Sequence, residues 1–213
     1  MIKNYVFDFD GTAADSMPTW SKAILKVLEA SGATYPDNVI EILTPLGDAK
    51  SAVYMRENLG VKFSEDEIKN LIAKFTTPLY HTEAQPKKGF VEYIKLLKSS
   101  GKKVAILTAS THERIDGCIK RWGIWDLFDK VLTCEDYDKP KSDPTIYSDL
   151  LADLGGNLGE TAFFDDNLEV IKTVKKAGLT SVGVFDESGN KFREELQKTA
   201  DKYIESFENL GLL

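Results

Sequence analysis

Five short apolar runs, separated by amphipathic stretches, restrict this chain more than any other feature. They are Tyr5-Val6-Phe7, Val104-Ala105-Ile106-Leu107, Val131-Leu132, Ala162-Phe163-Phe164 and Val182-Gly183-Val184-Phe185. Such runs, apolar at consecutive positions, read as strands buried on both faces. Helices between them make the sheet parallel and the fold α/β. Ser110 and Glu113 have capping-box spacing ahead of Ile115, Cys118, Ile119 and Trp122, and Gly123 stops that helix. Asp143-Pro144 opens another, with Ile146, Leu150, Leu151 and Leu154 on one face. Asp166 or Asn167 caps a third, with Val170, Ile171, Val174 and Ala177 inward and Gly178 at its end.

One interval is too long for this alternation. A βαβ unit needs about 30 residues, yet no strand-like run occurs between Phe9 and Val104. Residues 16–81 read instead as helices. Their stripes are Trp20, Ala23, Ile24, Val27 and Leu28, then Val39, Ile40 and Leu43, then Ala49, Ala52, Val53, Arg56 and Leu59. A fourth follows the Ser64/Glu67 box, with Ile68, Leu71, Ile72, Phe75 and Leu79 inward. The expected organisation is a core made of 1–15 and 82–213, with a helical bundle of 16–81 inserted after the first strand.

The 213 residues suit one domain with such an insertion. A net charge of −7 argues against a nucleic-acid surface, although helix N-termini and single lysines still hold phosphate in an acidic protein. Cys118 and Cys134 show no zinc spacing and read as reduced thiols of a cytoplasmic protein. No signal peptide, membrane span or lipidation motif is read, so no membrane partner is expected.

The polar residues that could carry chemistry sit where these runs end. Asp8 and Asp10 follow the first run, and alternation would set both on one side, with Phe9 opposite. Gly11 permits a sharp turn there, and Thr12 can hydrogen-bond back to it. By itself this could be an ordinary strand-end turn. Asp165-Asp166, after another buried run, makes that insufficient. Carboxylates about 4 Å apart repel by about 4 kcal/mol at an effective dielectric of ~20. A divalent cation relieves this, and all-oxygen ligands favour Mg2+. Thr108 and the following amides, Ala109 first, form a hydroxyl-plus-helix-start site for phosphate. Lys139 or Lys141, close to a helix start, could neutralise a carboxylate and a phosphate oxygen.

Together these segments resemble the haloacid dehalogenase superfamily, in its phosphoglycolate phosphatase and β-phosphoglucomutase branch. Asp8-Phe9-Asp10-Gly11-Thr12 resembles the first motif, with Asp15-Ser16 after it. Leu107-Thr108-Ala109-Ser110 resembles the second, Lys141 to Pro144 the third, and Asp165-Asp166 through Ala177-Gly178 the fourth. The resemblance implies a Rossmann-like parallel sheet core and an inserted α-helical bundle cap over the active site. It implies a Mg-dependent phosphatase acting on a small phosphorylated metabolite. Asp8 would be the nucleophile that forms an aspartyl-phosphate, and Asp10 the acid and base. Thr108 and Lys141, with Gly11 and Ala109, would hold the phosphoryl group. Asp8, the Asp10 carbonyl and Asp166 would bind Mg2+, with Asp165 as ligand or behind one. Thr44-Pro45-Leu46-Gly47 resembles the cap turn that faces substrate in relatives, or is a simple inter-helix turn. Ala13 stands where the family often has a larger apolar residue, so looser packing is expected there.

A phosphomutase would use the same motifs and return the phosphoryl group to sugar. A phosphoaspartate signalling receiver uses similar parts but places its acidic pair first. A dehalogenase needs neither Asp10 nor the metal. His81 and His112 are placed near the mouth of the site without a role, and oligomeric state is open.

Overall fold

In a computed structural model, which describes residues 1–213 with the Pro45 side chain excepted, strands and helices alternate. In chain order they are β1 (Asn4–Phe7), β2 (Ala14–Asp15), α1 (Met17–Ser31), α2 (Val39–Leu43), α3 (Gly47–Asn58), α4 (Glu65–Glu83) and β3 (Gln85–Pro86). Then come α5 (Phe90–Ser99), β4 (Lys103–Thr108), α6 (His112–Arg121), β5 (Lys130–Thr133), α7 (Cys134–Tyr137) and α8 (Ile146–Leu154). The last are β6 (Thr161–Asp165), α9 (Leu168–Ala177), β7 (Thr180–Val184), α10 (Arg193–Thr199) and β8 (Lys202–Ile204). The chain forms two compact units, Met1–Asp15 with Gln85–Leu213, and Ser16–Ala84.

In the first unit six parallel strands lie in the order β5-β4-β1-β6-β7-β8. This is the Rossmann-like arrangement. Alternation along β1 splits the core between the two faces. Val6 packs with Leu107, Tyr147, Leu150 and Phe163. Tyr5 and Phe7 face the other way, where Phe7 stacks on Phe164 at 4.5 Å and meets Phe90 edge-on at 5.3 Å. The topology fixes where a ligand belongs. From β1 the chain builds outward through β4 and β5, then returns to the opposite side of β1 with β6. The carboxyl end of β1 is thus the switch point of the sheet.

The second unit holds only helices. The buried face of α1 is the one its stripe predicts, Trp20, Ala23, Ile24, Val27 and Leu28. The capping box of Ser64 and Glu67 opens α4. The face of α3 differs from the expected stripe. Ser51, Ala52 and Met55 are buried, whereas Ala49 and Arg56 are exposed. Apolar character alone chose the wrong arc because small Ser51 packs inward, its hydroxyl donating to the Leu43 carbonyl at 3.2 Å. On α4 the fully covered positions are Ile68, Ile72, Thr76 and Tyr80, while Leu71, Phe75 and Leu79 are half-buried.

Other differences are small. β8 was not anticipated, because only Ile204 of its three residues is buried and it is an edge strand. The antiparallel pair β2–β3 has two residues per strand, too few for any periodicity. Among the described residues no helix is long and apolar enough to cross a membrane, and neither cysteine is in a disulfide.

Candidate active site

The strand β1 ends at Phe7, and the chain then closes on itself. Ala13 donates to the Asp8 carbonyl at 3.3 Å, Ala14 to that of Phe9 at 2.8 Å, and Gly11 to that of Ala14 at 3.0 Å. Ala13 is fully buried inside this loop. Alternation therefore stops before the acidic pair, and the two carboxylates do not run side by side. Asp8 binds Lys141, Asp10 binds Ser110, and Phe9 stacks on Trp122 at 5.4 Å.

Register carries Asp8 to Asp165. Phe7 pairs with Phe164, so the next residues of β1 and β6 come level, and the Asp8 amide donates to the Phe164 carbonyl at 2.9 Å. The Lys141 ammonium lies 2.7 Å from Asp8 Oδ1 and 2.7 Å from Asp165 Oδ2. Its loop is fixed from below, where buried Tyr147 donates to the Lys141 carbonyl at 2.7 Å. Lys139, the other lysine of this loop, pairs with Asp149 instead.

Asp166 closes the group. Ligand atoms of Asp8, Asp165 and Asp166 lie within 4.8 Å of one another. The helix cap falls to Asn167, whose side chain accepts from Glu169 and Val170 amides, so Asp166 is not spent on capping α9. Thr12 donates to Asp166 Oδ1 at 3.3 Å. Gly11, at φ +73°, is required twice over: a Cβ there would sit 2.7 Å from Asp166 Oδ2.

Lys141 offers one positive charge to three carboxylates. Burial pushes Asp8 up to about 7, against the pull of Lys141 and with further push from Asp165 and Asp10. Asp166 is held well above the usual carboxylate range, by burial first and then by Asp165, Asp8 and Asp186. Burial opposes the charge on Lys141, but Asp165 and Asp8 outweigh it and its affinity for the proton rises. Three oxygen donors with surplus negative charge, those of Asp8 and Asp165 buried and that of Asp166 half-buried, fit a hard divalent cation. Asp165 has both oxygens engaged, Oδ2 by Lys141 and Oδ1 by the Asn167 amide at 2.8 Å. It therefore suits a place behind the ligands better than one among them.

Thr108 is buried at the end of β4, beside β1. Its hydroxyl oxygen accepts from the Ser110 amide at 3.1 Å, which leaves the hydroxyl proton to donate. Ala109 next to it is exposed. The expected capping box of Ser110 and Glu113 does not form. Thr111 occupies the cap position, without a side-chain cap bond, because the Ser110 hydroxyl is drawn to Asp10 at 2.5 Å.

Two residues near the site were not anticipated. Asp186 follows β7, is nearly buried, pairs with Lys87 at 2.6 Å and adds negative potential at Asp166. The run Val182 to Phe185 followed by an acid is the same strand-end signal that marks Asp8 and Asp165. Arg114 is buried on α6, with Nη1 3.4 Å from the Ser110 hydroxyl. His112 serves structure. Its ring nitrogens meet Asp116 at 3.1 Å and Asp136 at 3.0 Å; burial opposes its charge, but the two carboxylates raise its pKa overall. His81 lies on α4 in the helical unit. So do the described parts of the Thr44–Gly47 turn; the Pro45 side chain lies outside the described residues.

A parallel sheet whose switch point bears a buried aspartate, a lysine and a carboxylate cluster is an arrangement found in α/β proteins that handle phosphoryl groups. The chain belongs to the haloacid dehalogenase-like hydrolase family, whose profile matches residues 5–184. It is 26% identical over 184 residues to the protein YhcW of Bacillus subtilis, covering 85% of this chain and 83% of the relative. Phosphoglycolate phosphatase of Neisseria meningitidis is 26% identical over 196 residues, covering 86% and 80%. The crystal structure of CbbY from Rhodobacter sphaeroides in complex with phosphate has a TM-score of 0.85 at 21% identity, covering 99% of this chain and 97% of that one.

Proposed function

We propose that the protein is a Mg-dependent phosphatase that hydrolyses small phosphate monoesters through an aspartyl-phosphate. One observation carries this reading. Asp8 is buried at the switch point between a lysine and further carboxylates, while Asp10, two residues on, turns its carboxylate away to Ser110. One acid is thereby dressed as nucleophile, and the other is left to handle protons. The family to which the chain belongs, and relatives named as phosphatases, support the same reading.

In the first step an Asp8 oxygen forms a bond to phosphorus as the ester P–O bond breaks. The leaving oxygen takes the proton of the Asp10 carboxyl. In the second, Asp10 as carboxylate takes a proton from water. The water oxygen bonds to phosphorus, the Asp8 P–O bond breaks, and inorganic phosphate is released. Lys141 and the Thr108 hydroxyl, with the amide of Ala109, steady the phosphoryl oxygens; the Gly11 amide, expected to join them, is spent on the Ala14 carbonyl. Mg2+, when bound by Asp8, Asp166 and the Asp10 carbonyl with Asp165 behind them, supplies positive charge to the same oxygens.

The substrates proposed are small soluble phosphate esters of the cytoplasm, such as phosphoglycolate or sugar phosphates. Purified protein incubated with a panel of these and Mg2+ should release phosphate, and EDTA should stop it. Isomerised sugar phosphate in place of free phosphate would mark a mutase. No turnover of any ester, with no binding of Mg2+ plus a phosphate mimic, would end the phosphatase reading.

The Asp10→Asn variant separates the two acids. Its turnover should fall ~100-fold or more, the usual worth of a general acid, while phosphate binding stays near that of the parent. Unchanged turnover would remove Asp10 from proton transfer.

A further inference from the structure

Ser110 is placed in a way that neither its helix-cap pattern nor the phosphoryl site accounts for. It lies 100 residues from Asp10 in sequence, and its hydroxyl donates to Asp10 Oδ2 at 2.5 Å. A serine hydroxyl has one proton to give, and here that proton goes to the carboxylate. The remaining face of the oxygen meets buried Arg114, with Nη1 at 3.4 Å. The backbone is tied too, since the Ser110 amide donates to Thr108 Oγ1 at 3.1 Å. Ser110 is itself buried, while Asp10 is only partly so. A buried hydroxyl therefore holds a half-buried carboxyl.

We propose that Ser110 is a positioning residue for Asp10, fixing the carboxyl in the orientation from which it hands its proton to the leaving oxygen. This rests on the phosphatase reading above. Asp10 sits beyond the end of β1, in the loop that backbone bonds close from Asp8 to Ala14; these fix the main chain and leave the direction of the carboxyl to side-chain contacts. Without the Ser110 hydroxyl the carboxyl loses the bond that orients Oδ2, and the fraction of encounters with a proton in line falls. Ser110 does not touch the transferring group in this role. It acts on the transfer step only as far as that step needs a proton.

That need depends on the leaving group. An alkoxide leaving from a sugar or alkyl phosphate is strongly basic and must be protonated as the P–O bond breaks. A nitrophenolate is weakly basic and departs without help. The test therefore compares kcat/KM, which reports the steps through alcohol release, for glycerol phosphate and p-nitrophenyl phosphate with Mg2+ present. Ser110→Ala should lower kcat/KM about tenfold or more on glycerol phosphate and less than about threefold on p-nitrophenyl phosphate. Ser110→Thr, which keeps the hydroxyl, should restore most of the loss. Ser110→Gly, a second hydroxyl-free variant, should show the same selectivity if Ser110→Ala folds poorly. Equal losses on both esters would make Ser110 a structural or phosphate-binding residue, and no loss on either would make it dispensable; both overturn the proposal. A parent protein inert toward both esters would overturn the phosphatase reading and this proposal with it.

Discussion

Asp8→Asn is expected to lose phosphate release by at least about a thousandfold and, without divalent cations, to fold more stably than the parent above pH 7. The loss follows from removing the nucleophile. The gain follows from its surroundings. Asp8 is raised from 3.8 to about 7, mainly by burial. An acid raised on folding binds more protons folded than unfolded, so stability falls as pH rises through that window. The contribution is intact below pH 3.8 and fully lost above about 7. Its ceiling is about 4 kcal/mol, reduced in practice by relaxation around the carboxylate. The amide of Asn carries no charge to desolvate and can still accept from Lys141. Denaturant titrations of both proteins in EDTA should give curves that coincide near pH 4 and separate by about 2–4 kcal/mol at pH 8. Mg2+ should then stabilise the parent more than the variant, because it binds the folded carboxylate cluster. A difference that is flat with pH, or a parent that gains on the variant as pH rises, would contradict the burial described for Asp8.

The same site shows what can be read along a chain and what cannot. Each strand end is legible locally, since an apolar run stopped by Asp8, Thr108 or Asp165 is visible in the sequence. The long interval after Phe9 is legible because a strand-to-strand crossing cannot use so many residues. Convergence is not local. It depends on β1 lying between β4 and β6, and that order is set by how whole faces pack. Ser110 illustrates the limit. Its spacing to Glu113 matches a capping box, yet a carboxylate 100 residues away offers its hydroxyl a stronger, charge-assisted bond. Asp186 carries a visible signal, an acid directly after a buried run, but no motif accompanies it to set it apart from an ordinary strand-end turn. Lys139 and Lys141 differ by two positions in one loop. Only the path of that loop, held by Tyr147, decides which ammonium reaches Asp8.

Lys141→Met should therefore be severe and Lys139→Met mild. Lys141 is buried and neutralises two carboxylates at once. Replacing it with an apolar side chain of similar length leaves Asp8 and Asp165 facing each other without a cation. Removing one partner of a buried ionic group typically costs about 3–5 kcal/mol. The loss should be greatest in EDTA at pH 8, where Asp8 is ionised, and smaller near pH 4, where protonation relieves it. Adding Asp8→Asn to Lys141→Met should return part of the stability, because the surplus charge goes with Asp8. Lys139 and Asp149 are each about one-third exposed, so breaking that solvent-screened pair should change stability little. Turnover should follow the same division, with a loss of about 100-fold or more for Lys141→Met and near-parental rates for Lys139→Met. The reverse ranking would place Lys139 at the phosphoryl group and would require a different path for the loop before α8.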